Sequence, residues 1–193
     1  MDHDIHVTGH AFRIRPVCDE DADFIVTLRT TPALSRYINP GAQTVEAQLS
    51  WLDSYYKRAG DYYFVLERQS NGLSEGLISI YDQTPDGESA EWGRWVIQPS
   101  SFGATESALL IYRCAFECLR LESIHCRTLL ENSKTVSLHD ACGLSKRVEL
   151  RNYVNINGQM HDAIEHTLYR SDWPAVSARL ERRTRFMAEK MTS

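Results

Sequence analysis

Residues 91–144 contain the clearest structural pattern of the chain: EWGRWVIQPS SFGATESALL IYRCAFECLR LESIHCRTLL ENSKTVSLHD ACGL. Residues 91–97 are typical of a strand, and a short polar turn around Gly103 follows them. Residues 103–121 repeat apolar side chains at helical spacing, and 124–130 are again typical of a strand. Because a helix joins these two strands, they can lie parallel to each other in one sheet.

The segments that precede this stretch predict an antiparallel meander. Residues 12–16 alternate apolar and basic side chains, and an acidic run at 19–23 suits the first turn of a helix. A second helical pattern covers 44–57. Strands are then expected at 62–67, 77–81 and 91–97. The turns that join them, Asn71-Gly72 and Pro85-Asp86-Gly87, are too short to contain a crossover helix.

The segments that follow predict one short helix, two strands and a final helix. The short helix begins at Asn132-Ser133 and stops at Gly143, a typical residue after a helix end. Strands at 146–155 and 162–169 are joined through Asn157-Gly158. The last helix, 174–193, is basic, because residues 179–190 hold five Lys and Arg against two Glu. The fold class is therefore α+β, with a mixed, mostly antiparallel sheet of about seven strands and flanking helices.

Composition limits the classes of function. The chain has 193 residues, with 21 Lys and Arg against 26 Asp and Glu, a net charge of −5 with neutral histidines. This length fits one domain, 11–173, with a mobile terminus at 1–10 and the helix at 174–193. A mildly acidic chain gives no reason to expect nucleic acid as a partner. The longest apolar run, 108–112, is too short for a membrane span, and 1–10 lack the features of a signal peptide. We therefore expect a cytoplasmic protein.

Cysteine and histidine spacing predicts no metal site. The five cysteines form no C-x-x-C pair and are expected to stay reduced. His3, His6 and His10 are interpreted as part of the mobile terminus rather than as ligands.

The order of strand, polar turn, helix, strand and short helix resembles that of the GCN5-related N-acetyltransferase (GNAT) superfamily. The family signature, Asn-x-x-(Ser/Ala)-x-x-(hydrophobic)-Tyr-x-x-x-Gly-Phe, is matched here at five positions, and His139 replaces the usual Tyr. Residues 12–16, 76–80 and 91–93 are similar to the family's opening, its third strand and its fourth strand. The matching positions of the signature are Asn132, Val136, Leu138, Gly143 and Leu144.

The resemblance implies a sheet that splays between the fourth and fifth strands and binds acetyl-CoA there as a co-substrate. The backbone of Val96 and Ile97 would pair with the pantetheine arm, and Asn132 would line the gap. The turn after the fourth strand would hold the pyrophosphate, although only Gly103 remains of the family's glycine pattern there. The residues of this turn are Ser101, Phe102, Gly103, Ala104 and Thr105.

Acetyl transfer requires that an amine lose a proton, attack a thioester and expel a thiolate. Glu91 is the candidate base, acting directly or through water, and the alternative is a solvated strand residue. His139 is the candidate acid toward the departing sulfur, and the alternative is a surface or capping histidine. Asn132 fits either a helix N-cap or a cofactor contact, and the two roles are compatible.

The resemblance therefore implies an acetyl-CoA-dependent N-acetyltransferase that acts on the primary amine of a small molecule. Similarity to the amino-sugar N-acetyltransferase of the pseudaminic acid pathway places an amino sugar, in a nucleotide-linked form, first among acceptors. Similarity to the ribosomal-protein N-terminal acetyltransferases leaves a protein N-terminus as an alternative, and a non-catalytic acyl-CoA-binding domain is another. The expected partners are acyl-CoA and the amine, with a homodimer through exposed strand edges as a further one. Aromatic side chains that could stack on a sugar or belong to the core are Trp51, Tyr55, Tyr56, Tyr81, Trp92 and Trp95.

Overall fold

The computed structural model describes residues 3–38, 41–144, 146–156 and 158–192. Within these ranges the chain forms eight strands and six α-helices. The strands are β1 (Val7–Thr8), β2 (Phe12–Pro16), β3 (Tyr62–Arg68), β4 (Ser74–Tyr81), β5 (Ser89–Ile97), β6 (Ser123–Leu129), β7 (Lys146–Ile156) and β8 (Gln159–Tyr169). The helices are α1 (Ala22–Thr30), α2 (Pro32–Ser35), α3 (Val45–Tyr56), α4 (Ala104–Arg113), α5 (Ser133–Cys142) and α6 (Trp173–Thr192).

All eight strands belong to one sheet, in the order β1-β2-β3-β4-β5-β6-β8-β7. Only β5 and β6 pair in parallel, and every other neighbouring pair is antiparallel. This arrangement confirms the α+β class, the mostly antiparallel sheet and the parallel step through α4. Strand β8 lies between β6 and β7, so the last hairpin folds back onto the sheet. Its predicted turn includes Asn157, which lies outside the described residues.

The N-terminal segment differs from the mobile end that the sequence predicts for residues 1–10. Val7 pairs with Ile14 of β2, and its side chain is buried. Two residues are too few to show the alternation by which a strand is recognised in a sequence. The sheet therefore has one strand more than the seven expected. Residues 1 and 2 lie outside the described part, and the domain limits 11–173 stay a prediction.

Helices cover both faces of the sheet. Helices α4 and α6 pack on one face, where Leu109, Trp92 and Leu180 belong to a single buried cluster. Helices α1 and α3 pack on the other face over a second cluster that includes Ile25 and Leu52. Side chains from the two faces of each central strand supply the sheet's share of both clusters. In the described chain no helix has the length and apolarity that crossing a membrane requires.

Strands β5 and β6 pair only at their beginning and then separate. The register runs Ser89↔Ser123, Ala90↔Ile124 and Glu91↔His125. Residues 92–97 and 126–129 continue both strands, and in the described chain they make no further pairs with each other. This is the splay that the family resemblance implies, and it opens a gap in the middle of the sheet.

A β-bulge in β5 turns its side chains at the same point. Leu77 of β4 pairs with Val96, but Ser79 pairs with Gly93, so two residues of β5 face one residue of β4. Arg94, one of the two residues of the bulge, has a φ of 47°. The bulge shifts the alternation of β5, and Trp92 and Val96 therefore pack in different clusters although they are four residues apart.

The helix boundaries agree closely with the sequence. Thr44 caps α3, because its side chain accepts a hydrogen bond from the Ala47 amide. The helix predicted at 103–121 is α4, which continues through Cys114–Cys118 as a π-helical segment. Gly143 ends α5 in the left-handed conformation, with a φ of 83°. A side chain other than glycine or asparagine would be strained there.

Candidate active site

A pocket of about 590 Å³ lies where β5 and β6 separate. Its walls come from the middle of β5, the end of β6, the beginning of α5 and Tyr153 of β7. Three residues singled out from the sequence, Glu91, Asn132 and His139, line it together. They come from segments that are distant in the sequence, and the gap in the sheet is what brings them to one cavity.

Glu91 lies on the pocket wall as an ionised, hydrogen-bonded carboxylate. Tyr81 donates its hydroxyl to Oε1 over 3.0 Å, and Arg127 donates Nη1 to Oε2 over 2.5 Å. The His125 imidazole is 3.7 Å away. Burial alone would raise the pKa of the Glu91 carboxyl, but His125, Arg127 and Tyr81 together hold the pKa below its ordinary value. Glu91 is therefore charged at neutral pH, and it is a partnered buried residue rather than a solvated one.

His139 is buried against Trp92, Trp95 and His166, whose rings lie 5.2, 5.7 and 5.4 Å from its own. Burial, with a smaller contribution from His166, lowers the pKa of the His139 imidazole to about 3. The ring is therefore neutral at physiological pH. The candidate acid role would then rest on the neutral imidazole, which holds no imidazolium proton for the departing sulfur. A neutral ring can still donate an N–H hydrogen bond.

Asn132 occupies the N-cap position of α5, but its side chain makes no capping hydrogen bond. Its φ and ψ of −80° and 58° lie outside the extended region usual for an N-cap. The side chain lines the pocket. Its amide is therefore not used to hold the helix, which favours the cofactor contact of the two roles expected for it.

The segment expected to bind the cofactor lies next to this pocket rather than in its wall. Val96 is buried in the core, Ile97 packs against the core, and Phe102 is exposed in the turn before α4. The amide of Ser101 donates to the Gln98 carbonyl, and the amide of Gly103 donates to the Ser101 hydroxyl. Two of the amides expected to face the pyrophosphate are therefore already used within the turn.

The remaining backbone groups still fit acetyl-CoA. The first intrahelical bond of α4 runs from the Ser107 amide to the Gly103 carbonyl, so the amides of Ala104 and Thr105 have no acceptor in the helix. Amides at a helix N-terminus favour an anion such as a pyrophosphate. Residues 92–97 of β5 also present an edge that β6 leaves unpaired. The splay and the first turn of α4 can therefore hold the pantetheine arm and the pyrophosphate.

Three arginines that the sequence pattern did not single out also line the pocket. Arg94 pairs with the buried Asp61 through two hydrogen bonds of 2.5 and 3.0 Å, and its guanidinium lies 4.5 Å from the Tyr81 ring centre. Arg127 bonds Glu91 and also Glu165, the latter at 3.0 Å. Arg29 of α1 lines the same cavity. Arg29 and Arg94 therefore line the side of the pocket that faces α1 and α3, and Arg127 lines its wall at β6.

The charges of the pocket favour an acceptor with negative groups. Its charged lining residues are three arginines and two carboxylates, Asp82 and Glu91. The Glu91–Arg127 pair offsets one charge of each sign, which leaves Arg29 and Arg94 against the exposed Asp82 on the lining, with Asp61 bound to Arg94 behind it. The lining therefore carries one more positive than negative charge, which favours a negative group over a polycation.

The aromatic residues expected near the acceptor divide between pocket and core. Tyr81, Trp92 and Trp95 line the pocket, and the Trp95 indole donates to the Ser107 hydroxyl over 2.9 Å. Tyr55 is buried in the core, and Tyr56 donates to Asp19 at the surface. Tyr37 and Tyr153 also line the pocket and had no distinguishing pattern in the sequence. Arg94 could have been noticed, because it follows the Glu-x-Gly of the family's fourth strand.

The possible metal ligands of the described residues are their cysteine, histidine and acidic side chains. All five cysteines are free. Across the described ranges, no group of three or more His, Cys, Asp or Glu is placed to hold a metal ion.

Comparisons with known proteins agree with this geometry. A family model described as an acetyltransferase (GNAT) domain matches residues 12–145. The curated spermidine N(1)-acetyltransferase of Escherichia coli (strain K12) is 26% identical over 172 residues, which cover 87% of this chain and 91% of that protein.

Solved structures show the same fold. An apo structure of FdhC, a nucleotide-linked sugar GNAT, superposes with a TM-score of 0.76 at 25% identity, covering 95% of this chain and 99% of that one. A spermidine N-acetyltransferase from Vibrio cholerae in complex with CoA and spermine gives a TM-score of 0.75 at 22% identity, covering 85% of this chain and 98% of that one. The 22% identity of this second structure is evidence of a shared fold alone.

Proposed function

The chain belongs to the GNAT acetyltransferase family and is an N-acetyltransferase that uses acetyl-CoA, and we propose that its acceptor is the primary amine of a small molecule, with a nucleotide-linked amino sugar first among the candidates. Acetyl-CoA supplies an activated thioester. The protein has to position the amine, exclude competing water and manage one proton.

The charge of the pocket is the observation that carries the acceptor class. A sugar linked to a nucleotide carries a diphosphate, which Arg29 and Arg94 can bind. It also carries planar groups, on which Tyr81 and Trp95 can stack. FdhC, described as a nucleotide-linked sugar GNAT, is similar over nearly the whole chain. Spermidine, the substrate named for two of the relatives, is a polycation and is expected to bind poorly beside Arg29 and Arg94.

Within this proposal Glu91 receives the proton of the attacking amine, directly or through water. Its ion pair with Arg127 keeps it ionised, which is the state that a base needs. The same ion pair makes it a weak base, so it would supply only part of the roughly 10²–10⁴-fold available to a general base. His139 is retained as a neutral hydrogen-bond donor near the sulfur. Cofactor binding is proposed for Asn132, for the backbone of Val96 and Ile97, and for the turn of Ser101, Phe102, Gly103, Ala104 and Thr105.

An acceptor panel tests the proposal. Release of the CoA thiol is followed with acetyl-CoA and one amine at a time: a nucleoside-diphosphate-linked amino sugar, a free hexosamine, spermidine and a peptide with a free N-terminus. The proposal expects the nucleotide-linked amino sugar to give the highest kcat/KM. Preferential acetylation of the peptide would replace it with N-terminal acetylation of a protein, and preference for spermidine would contradict the charge argument. Binding of acetyl-CoA by calorimetry without turnover of any amine would indicate a non-catalytic domain.

A further inference from the structure

A second cavity lies next to the pocket, on the side of α3. It has a volume of about 250 Å³ and shares two wall residues, Arg29 and Arg94, with the larger pocket. Its other walls come from α3, from the segment after α3, from β3 and from the loop before α3. The residues of those walls are Gly41, Ala42, Gln48, Trp51, Arg58 and Tyr63.

Two buried donors line this cavity without hydrogen-bond acceptors in the described protein. The Gln48 side chain is 4% exposed, and its Nε2 has no acceptor. Tyr63 is 1% exposed, and its hydroxyl hydrogen has no acceptor. Arg29 and Arg94 line the cavity beside Tyr63; burial raises the pKa of the Tyr63 phenol, and the charges of both arginines and a hydrogen bond from Arg29 act to lower it. Buried donors are nearly always satisfied in native proteins, so two of them in one cavity indicate a missing acceptor.

The charges around the cavity call for a negative partner. Three arginines line it, and none of its lining residues in the described ranges is acidic. Asp61 lies behind the wall, with two hydrogen bonds to Arg94 and an N–O distance of 3.9 Å to Arg58. One carboxylate thus faces at least two of the three positive charges. Since a guanidinium has five N–H donors, Arg94 keeps several beyond the two that Asp61 accepts.

Aromatic rings hold the arginines in place. The guanidinium groups of Arg58 and Arg94 lie 5.2 and 5.6 Å from the Trp51 ring centre, and Arg94 lies 5.8 Å from that of Tyr63. Stacking of this kind fixes a guanidinium before a ligand arrives and reduces the entropy lost on binding. The cavity is therefore preorganised, with cations and neutral donors converging on one space.

We infer that this cavity is an oxyanion subsite, built by Arg29, Arg58, Arg94, Gln48 and Tyr63, which binds a phosphate group carried by the acceptor amine. The inference rests on the proposed function in one respect: the shared residues Arg29 and Arg94 make the cavity continuous with the acceptor pocket. A phosphate has enough acceptor oxygens to engage arginines and the two neutral donors together. A cationic amine would instead face three arginines.

Phosphate binding is measured first, independently of catalysis. Inorganic phosphate is titrated by calorimetry into protein saturated with CoA, so that the amides at the start of α4 are already occupied. Arg58→Gln should weaken phosphate binding about tenfold or more, since it removes one charge-assisted donor from the cavity. Gln48→Glu hardly changes the size of the side chain and should abolish phosphate binding, because it adds a negative charge. Arg151→Gln is the matched control, because Arg151 is 82% exposed and lines neither cavity.

Selectivity is measured second, with a hexosamine, its 6-phosphate and its nucleoside-diphosphate-linked form as acceptors. In the parent the phosphorylated forms should exceed the free sugar about tenfold or more in kcat/KM, and Arg58→Gln should remove most of that ratio while Arg151→Gln keeps it. Equal binding of phosphate by parent, Arg58→Gln and Gln48→Glu, or no binding by the parent, overturns the subsite even if amines are acetylated. Arg58-dependent phosphate binding without acetylation of any amine overturns the acceptor class and leaves a site for a free anion.

Discussion

Replacing Arg94 by alanine and by glycine separates two contributions of this residue, its side chain and its backbone. Arg94 lies in the β5 bulge with a φ of 47°, a conformation that costs a residue with a Cβ about 1 kcal/mol or more and glycine almost nothing. Both variants lose the ion pair with Asp61, but only the glycine variant gains relief of the backbone. The difference between them therefore reports on the bulge alone.

The size of the common loss follows from burial. The side chain of Asp61 is 9% exposed and that of Arg94 is 23% exposed. Removing one partner of a fully buried pair costs about 3–5 kcal/mol. Arg94 is partly exposed, and Arg58 lies 3.9 Å from Asp61. We therefore expect a smaller loss of about 2–3 kcal/mol in the free energy of unfolding. Arg94→Ala should lose that amount, and Arg94→Gly about 1 kcal/mol less.

The assay is urea denaturation followed by tryptophan fluorescence, with the free energy of unfolding compared at equal m-values. Arg13 of β2 provides the control, since it also pairs with a buried carboxylate, Glu67, but lies in regular strand. There glycine should be less stable than alanine by about 0.5–1 kcal/mol. The reasoning is refuted if Arg94→Gly is also less stable than Arg94→Ala, because the sign of the difference depends on the positive φ.

Three further substitutions test the catalytic pocket. Glu91→Gln should lower kcat about 10-fold or more with a smaller change in KM for the amine, and an unchanged kcat would remove Glu91 from the proton transfer. Folding lowers the pKa of Glu91 below its ordinary value of 4.5. Its carboxylate therefore contributes stability that is present above pH 4.5 and is lost as the pH falls through the folded value. The free energies of unfolding of the parent and Glu91→Gln in urea should then converge in acid. His139→Phe should slow turnover severalfold yet keep the parent's pH–rate profile between about pH 6 and 9, since the His139 pKa is about 3; a missing limb in the variant would show that His139 titrates during turnover. Asn132→Ala should raise KM for acetyl-CoA and change the free energy of unfolding by less than the ~1 kcal/mol of a working N-cap, and the opposite pattern would return Asn132 to a capping role.

Local pattern was enough to predict most of the fold. The segments at 91–97, 103–121 and 124–130 differ in period, and the helix between the two strands implied the parallel step that the structure contains. Gly143 marked the end of α5, because glycine adopts the left-handed conformation there without strain. Features that lay beyond the sequence include β1, which is too short to show a period, the four residues of α2, and the place of β8 between β6 and β7, which depends on packing between distant segments.

The sequence pointed to several residues of the candidate site, but not to their protonation states or their partners. Glu91, Asn132 and His139 do line one pocket. Their states are set by partners from other elements, such as Arg127 for Glu91 and His166 for His139, and no local pattern reports such contacts. The His139 pKa in particular follows from burial, which depends on how α5 packs against the sheet.

The bulge in β5 connects the two cavities to the chemistry of the acceptor. Without the extra residue, β5 would keep its alternation, and Trp95 and Arg94 would exchange faces of the sheet. The bulge instead leaves Trp95 on the α4 side, bonded to Ser107, and brings Arg94 beside Tyr81 on the α3 side. One inserted position thus supplies an aromatic wall for the larger pocket and the arginine shared with the smaller one. Acceptor selectivity should therefore be more sensitive to the backbone conformation of Arg94 than to any exposed residue around the pocket.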